Sequence, residues 1–379
     1  MSPAPPAPNP PGADRAPARA HAVAVVEQQA RACAALGSPL YAALLERVAL
    51  DLAAGGPCAA ALAGHETDPG SAAVPLRLLG AVHALVLTGR APALAAHYPS
   101  TGGTLDPDRP DAPWPAFRAA VAADLPWVRD WLTRPPQTNE VGRANLLIAG
   151  LLHTLAAQGR GPRPVRLFEP GSSAGLNLLA DRFRCEAPGF SHGPADSPVV
   201  LTGAWQGPPP TPPARAVPLH FAERVGCDPA PIDPRSPGGA LTLRAYLWPD
   251  QPARAARLDG ALRLAAEIPT RVEPVGAAEF LRGVEVADGT LTVVWHSVLR
   301  QYVSDAEWLL VEGELDRLAG SSTAAAPFAR IAFEPRRAGD LHRFVLTVRA
   351  GREPARMLAE AAPHGLPART LRGPGPAPR

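Results

Sequence analysis

LFEPGSSAGLNLLADRF, residues 167–183, decides how the rest of the chain is read. A short apolar run ends at Glu169 and enters a turn bracketed by Gly171 and Gly175. It continues with the apolar spacing of an amphipathic helix. Strand, glycine turn and helix form the opening unit of an open α/β sheet. Such sheets bind ligands at the carboxyl ends of the strands, where the strand order reverses. Three readings of the turn stand open. It cradles a nucleotide-like cofactor. It lifts Ser173 as a nucleophile, because G-S-S-A-G also has the form of a nucleophile elbow. Or it is a structural turn with no ligand.

Working outward, short β-patterned runs alternate with helical ones after Pro164. VRLFEP is followed by the turn, then a Pro/Gly-rich excursion over 186–214 containing the β-like SPVVLTGAW. Next come a helix around PARAARLDGALRLAAE, the apolar strand in GTLTVVWHSVLRQY, and the helix DAEWLLVEGELDRLA. FARIAFEP and HRFVLTVRAGREPARMLAE close the chain, the last as a hairpin turning near Gly351. The alternation predicts a mostly parallel, doubly wound, Rossmann-like α/β sheet over 164–370, with strand 167–169 central. Residues 21–160 show the opposite pattern. AVAVVEQQARACAAL, LYAALLERVALDLAAG, VPLRLLGAVHALVLTG, PAFRAAVAADLPWVRDWLT and NEVGRANLLIAGLLHTLAAQG all carry helical apolar spacing. An all-helical N-terminal cap domain is expected there. Residues 1–20 read as a disordered Pro/Ala-rich leader and 371–379 as a flexible tail.

Composition narrows the function classes. The 37 basic residues, all arginine, nearly balance 35 acidic ones, for a net charge of +2. That balance offers no electrostatic argument for nucleic acid or an anionic membrane. Arginine without lysine, among abundant alanine and 48 prolines, has the look of GC-rich coding. Arginine richness is therefore discounted as a functional sign. Cys33, Cys58, Cys185 and Cys227 are too scattered for a metal finger and read as free thiols of a reducing compartment. No signal-peptide core or charge-free apolar run of membrane-spanning length is evident, so a cytoplasmic protein acting on a small-molecule ligand is expected.

Read as chemistry, the turn assigns a role to each position. Glu169, at the strand end, faces the amino group of a cationic ligand. Gly171 permits the tight turn, Ser173 supplies a small polar group, and Gly175 lets the helix with Asn177 pack close. Asp228 in RVGCD, with Asp233 behind it, is the candidate for ribose hydroxyls, although it lies much further along the chain than the usual offset of about 20 residues. The end of VVWHSVLRQY gathers Trp295, His296, Ser297, Gln301 and Tyr302, with His296 as a candidate general base and Tyr302 beside it. A histidine merely hydrogen-bonded at a strand end is the plain alternative. Asp250 in LRAYLWPDQ reads as a helix N-cap, and in QTNEVGR either Thr138 or Asn139 caps the next helix. Glu140 and Arg143 then form a surface ion pair one turn apart, or a lid over the glycine turn.

E-x-G-x-S-x-G resembles the first motif of S-adenosylmethionine-dependent methyltransferases, with Ser173 in place of the middle glycine. HYPSTGG, QTNEVGR, EPGSSAGLNLLADRF, GCDPAPID, LRAYLWPDQ, VVWHSVLRQY and PHG together resemble a bacterial family of unknown activity, domain of unknown function 2332. That resemblance implies a class I methyltransferase-like fold and S-adenosylmethionine as cofactor, and it brings no substrate or catalytic residue. Two other readings compete. One is a non-catalytic Rossmann-like binding protein, favoured by the serine substitution and the displaced acid. The other is a serine hydrolase using Ser173 with Asp316 and His342 or His364, which the helical first half and the lack of an oxyanion loop oppose.

Overall fold

The computed structural model describes residues 15–159, 163–211, 217–338 and 341–371. It falls into two compact units, one of residues up to Pro136 together with Leu241–Pro252, the other of Gln137–Ala240 together with the chain from Ala253 onward. Most of the expected leader (1–14) and tail (372–379) lies outside the described residues. Residues 15–20 belong to the first helix rather than to the leader.

The first unit is helical, as its periodicity predicts: α1 (Arg15–Ala35), α2 (Pro39–Ala53), α3 (Pro57–Ala61), α4 (Val74–Leu87), α5 (Pro92–Ala95), α6 (Trp114–Ala123) and α7 (Leu125–Leu132). From α2 to α7 each helix carries proline in its first turn. There the missing N–H is one the helix could not have bonded anyway, so a proline-rich chain starts helices without penalty. One core joins them, with Leu44, Leu78, Val82, Phe117 and Trp131 packed together with Tyr246 and Trp248 of the returning segment. Asp250 caps α2 and not the helix that follows it in sequence. Its carboxylate accepts from Ser38 Oγ (2.7 Å) and Leu40 N (3.0 Å). The stretch Gly70–Leu87 is long and apolar enough to cross a membrane by length and composition, and 72% of it is buried in the fold.

The second unit holds the sheet. Its strands are β1 (Val165–Pro170), β2 (Arg184–Ala187), β3 (Phe190–His192), β4 (Val200–Thr202), β5 (Phe221–Cys227), β6 (Arg271–Glu273), β7 (Leu291–Ser297), β8 (Phe328–Ala338), β9 (Leu341–Ala350), β10 (Arg356–Ala361) and β11 (Ala368–Thr370). Eight of them form a mixed, mostly parallel sheet ordered β11-β10-β9-β8-β7-β1-β5-β6, with β6, β5, β1, β7 and β8 parallel. The antiparallel edge begins with β8 and β9, and β9 turns through Gly351 into β10 as the sequence predicts. β1 is interior, flanked by β5 and β7. The chain runs from β1 out to β5 and β6, then returns to the other side of β1. The strand order therefore reverses at β1, and the crevice at its carboxyl end is the place for a ligand.

Period-two alternation assigns the two faces. Phe168, Val225 and Val294 face α11 (Ala277–Arg282) and α12 (Asp305–Gly320), packing on Leu281, Val311 and Leu315. Glu169, Trp295 and Ile331 share the opposite face, where α8 (Ala144–Ala157) lies against the sheet with Gly150 next to Ile331. QTNEVGR and α8 thus belong to the sheet unit rather than the helical one, because α8 buries its apolar surface on strands. The boundary falls after Pro136 instead of near residue 160.

Two local expectations change. The helix expected after the glycine turn is a single 3-10 segment, Leu176–Arg182. Leu176, Asn177, Leu178, Leu179 and Ala180 are all buried, so it has no solvent face to make it amphipathic. The excursion that follows folds into a small sheet ordered β3-β2-β4. Its strands of three or four residues are too short to leave a periodic signal.

Candidate functional site

The site is built around the carboxyl end of β1. Glu169 is buried at 3% exposure, and its Oε1 accepts the Trp295 indole N–H at 3.0 Å. Its Oε2 is buried with no hydrogen-bond partner. Burial pushes this carboxyl up to about 8, against the Trp295 bond and the nearby Arg143 charge, which both pull it down. Near neutral pH it is therefore largely a neutral acid, one that a cation placed against it would ionise.

Beyond Glu169 the chain reverses at Gly171, with φ +73°, where a Cβ would lie 2.6 Å from Leu299 Cδ1. Gly171 N and Ser172 N both donate to Cys227 O, tying the turn to the end of β5. Ser173 adopts φ +55°, a left-handed conformation that glycine holds at no steric cost. Its N–H donates to Asp228 Oδ2 (3.1 Å) and its Oγ to Gln137 Oε1. Gly175 also has positive φ and is enclosed by Val272 and Thr270. Leu176 N, at the start of the 3-10 segment, donates to Asn139 Oδ1 (2.9 Å). Asn139, expected to cap its own helix, thus caps the segment after the glycine turn. Asn177 is buried, donates Nδ2 to Glu140 O (3.3 Å), and leaves Oδ1 without a partner.

Asp228 stands at the end of β5, as expected, but both its oxygens are engaged. Oδ2 takes Ser173 N and Oδ1 takes Ala230 N (2.9 Å). It holds the turn in place, and only its remaining lone pairs face outward.

The QTNEVGR segment forms neither a surface ion pair nor an external lid. Glu140 is buried at 4% exposure. Its Oε1 accepts Gly142 N (3.0 Å), and Oε2 takes both Nε (2.7 Å) and Nη2 (2.6 Å) of Arg254 on α10 (Pro252–Glu267). Burial alone would raise its pKa. Arg254, then His364, Arg257 and Arg143, override that and hold it at about 2. Arg143 donates Nε to Pro363 O (3.0 Å).

His296 leaves the candidate site. It follows Trp295 on β7, so it points to the other face of the sheet, under Trp308 of α12 at 5.4 Å between ring centroids. It is 1% exposed, and both ring nitrogens are used: Nδ1 with Glu334 Oε1 (2.7 Å), Nε2 with Arg330 Nε (3.1 Å). Since Arg330 can only donate, Nε2 accepts and the Nδ1 proton goes to Glu334. Burial lowers its pKa, opposed by the Glu334 bond. No base faces Ser173 from this position. Tyr302, 51% exposed after β7, is open to solvent. Between them lies Val298 at φ +54°. A β-branched residue is strained there, and Glu334 holds the turn by accepting from Leu299 N (3.0 Å).

Of the hydrolase candidates, Asp316 pairs with Arg349 Nη1 (2.6 Å), His364 lies beside Glu140, and the side chain of His342 is outside the described residues. An open pocket of about 440 Å³, lined by Arg182, His192 and His220 among others, lies at the amino-terminal end of β5. That is the wrong edge of the sheet for the turn's chemistry.

Sequence reasoning missed Gln137, Arg254 and Arg257, and named His364 only as a hydrolase histidine. Arg254 and Arg257 stand three residues apart on α10, a spacing that puts both on one side of the helix. They were hidden by the discount placed on arginine in a chain without lysine.

Together these features define a mixed α/β protein with a polar, partly unsatisfied site at the switch point of a mostly parallel sheet. The chain belongs to the family described as uncharacterized protein conserved in bacteria, domain of unknown function 2332, which it matches over residues 23–369. Comparison with curated proteins and with solved structures gives no match.

Proposed function

We propose that this chain is a Rossmann-like, S-adenosylmethionine-dependent methyltransferase-like protein acting on a small molecule. The observation that carries the reading is Glu169 Oε2, a buried carboxyl oxygen without a partner among the described residues, at the end of the strand where the order reverses. An acidic group there suits the ammonium of the cofactor's amino-acid end. The orphan Asn177 Oδ1 offers a second acceptor, and the positive-φ turn of Gly171, Ser173 and Gly175 lets the backbone approach a ligand. The chain's groups fit the cofactor in these respects. They fit less well at Asp228, whose ribose role competes with its bonds to the turn. The cofactor when bound supplies an electrophilic methyl group. The protein's part is alignment of the acceptor, with Tyr302 at the open rim.

A specific observation supports a second reading, a binding protein without turnover. The turn's donors at Ser173 and Leu176 are satisfied from within by Asp228 and Asn139. The hydrolase reading has less support, because the Ser173 hydroxyl donates to an amide oxygen that cannot take its proton.

Titration calorimetry with S-adenosylmethionine at pH 7, in buffers of different ionisation enthalpy, tests the proposal. Binding should release close to one proton as Glu169 ionises, and Glu169→Gln should abolish that release. Absence of binding would remove the cofactor. Binding without methyl transfer to any acceptor would favour the second reading.

A further inference from the structure

The basic side chains behind the glycine turn outnumber the carboxylate they surround. Arg254, Arg257, Arg143 and His364 all lie near enough to Glu140 to act on its charge. That carboxylate is already filled, with Gly142 N on Oε1 and the Arg254 guanidinium on Oε2. Arg257 is half-buried and makes no hydrogen bond or ion pair among the described residues, and its Nε is shielded from solvent. Arg143, also half-buried, uses only Nε, on a backbone carbonyl, and pairs with no carboxylate among the described residues. Glu334, the other acid acting on Arg143, is engaged by His296, Leu299 N and Arg300 N.

Burial costs both guanidinium groups hydration, and the charge of Glu140, already bonded to Arg254, returns only part of that cost. Neither is needed to satisfy Glu140. Guanidinium groups present a fork of N–H donors that matches the oxygens of a carboxylate or phosphate. An independent feature lies beside them, the unpartnered Oε2 of Glu169, 3% exposed and within reach of the Arg143 charge. Of the two arginines, Arg143 is the one placed to act on Glu169.

We propose that Arg143 and Arg257, backed by the Glu140–Arg254 pair, form an anion-binding subsite for a carboxylate or phosphate group of the substrate. The subsite stands on its own geometry and does not require the cofactor reading.

The test uses the full chain and inorganic phosphate, with sodium chloride at equal ionic strength as the reference. Phosphate at ten times its dissociation constant should raise the melting temperature by about 3–6 °C over chloride. Arg257→Gln should abolish this response and should itself raise the melting temperature in chloride, because it removes a cation whose burial Glu140 compensates only in part. Arg244→Gln, a basic residue outside the cluster, should leave the phosphate response intact. Equal stabilisation by phosphate and chloride would overturn the proposal. So would an Arg257→Gln protein that keeps the full response. A further arm locates the source of the anion. If phosphate and S-adenosylmethionine bind together, the anionic group belongs to a second substrate. If they compete, it is the cofactor's own carboxylate, and the assignment to substrate is overturned.

Discussion

In the helical unit, buried polar groups end on other parts of the protein. His83 is 1% exposed, with Nδ1 on Ala245 O (3.1 Å) and Nε2 on Ser100 Oγ (2.8 Å). Asp51 accepts Cys58 N (2.8 Å) and Arg118 Nε (2.8 Å), and Asp250 accepts from Ser38 and Leu40. What remains unbonded there among the described residues includes the Tyr98 hydroxyl and Arg77 Nε, whose guanidinium otherwise donates to Leu132 O and Asp68. The α/β unit also has closed pairs, such as Glu140–Arg254. Around the end of β1, however, it leaves an ionisable acid and an amide oxygen unsatisfied, next to two guanidinium groups without carboxylate partners. Unspent hydrogen-bonding capacity concentrated at a switch point, rather than burial of polar groups as such, separates a site from a scaffold.

The largest expected effect contrasts one ion pair from each unit. Arg254→Ala strands a buried carboxylate and should destabilise the α/β unit by about 3–5 kcal/mol in urea denaturation. In the helical unit Arg118 is 50% exposed and its partner Asp51, though buried, keeps the Cys58 N–H, so Arg118→Ala should cost less, about 1–2 kcal/mol. Similar losses from both would erase the distinction between them.

The pH response is the next contrast. Glu169 has a folded pKa of about 8, above its unfolded value of 4.5, so between these values the folded state holds the extra proton. Its stability contribution is present below pH 4.5 and is lost as pH rises through 8. His83 is depressed from 6.5 to about 4 by burial, against its backbone bonds to Ala245 and Leu247. The helical unit should therefore weaken as pH falls from 6.5 through 4. His364, lowered to about 3 chiefly by burial, adds an acid-side loss in the α/β unit. Between pH 6.5 and 8 Glu169 dominates, and the α/β unit should lose about 2 kcal/mol while the helical unit stays level. Hydrogen exchange resolved by segment would read this, and Glu169→Gln should flatten the α/β response. Parallel pH curves for the two units would contradict the assignment.

Smaller effects probe the turn and its rim. Gly171→Val places a β-branched residue at φ +73° against Leu299 and should cost about 1–2 kcal/mol while abolishing ligand binding. Retained binding would locate the ligand elsewhere. Tyr302→Phe, at a half-exposed position, should change stability by less than about 0.5 kcal/mol. A larger loss would show that its hydroxyl is part of the fold.

Much of the architecture was legible. The long helical stretches of the first unit, the central β1, the apolar β7 and the turn at Gly351 all carry local periodicity or turn chemistry, whereas α3 and α5 are too short to show a period. The 3-10 segment after Gly175 was not, because Leu-Asn-Leu-Leu-Ala has the spacing of a longer helix and only the surrounding side chains cut it short. At the site, Glu169 and the glycine positions could be named from their place on strand and turn. Asp250, Asn139 and Glu140 were read as local caps or surface charges, and each instead bonds a segment distant in sequence. His296 shows the limit most sharply. Sequence put it at the right end of the right strand, but alternation turned it to the other face.

By itself the sequence determined where helices give way to strands and where the chain must turn tightly, because propensity, apolar period and the freedom of glycine act between near neighbours. Only the tertiary structure decided which charges are spent and which are not. Arg254 closes on Glu140 across 114 residues, while Arg257, one turn further along α10, has no hydrogen-bond partner among the described residues. The energy of a buried charge depends on what lies within a few ångströms of it in space, and chain order does not specify that.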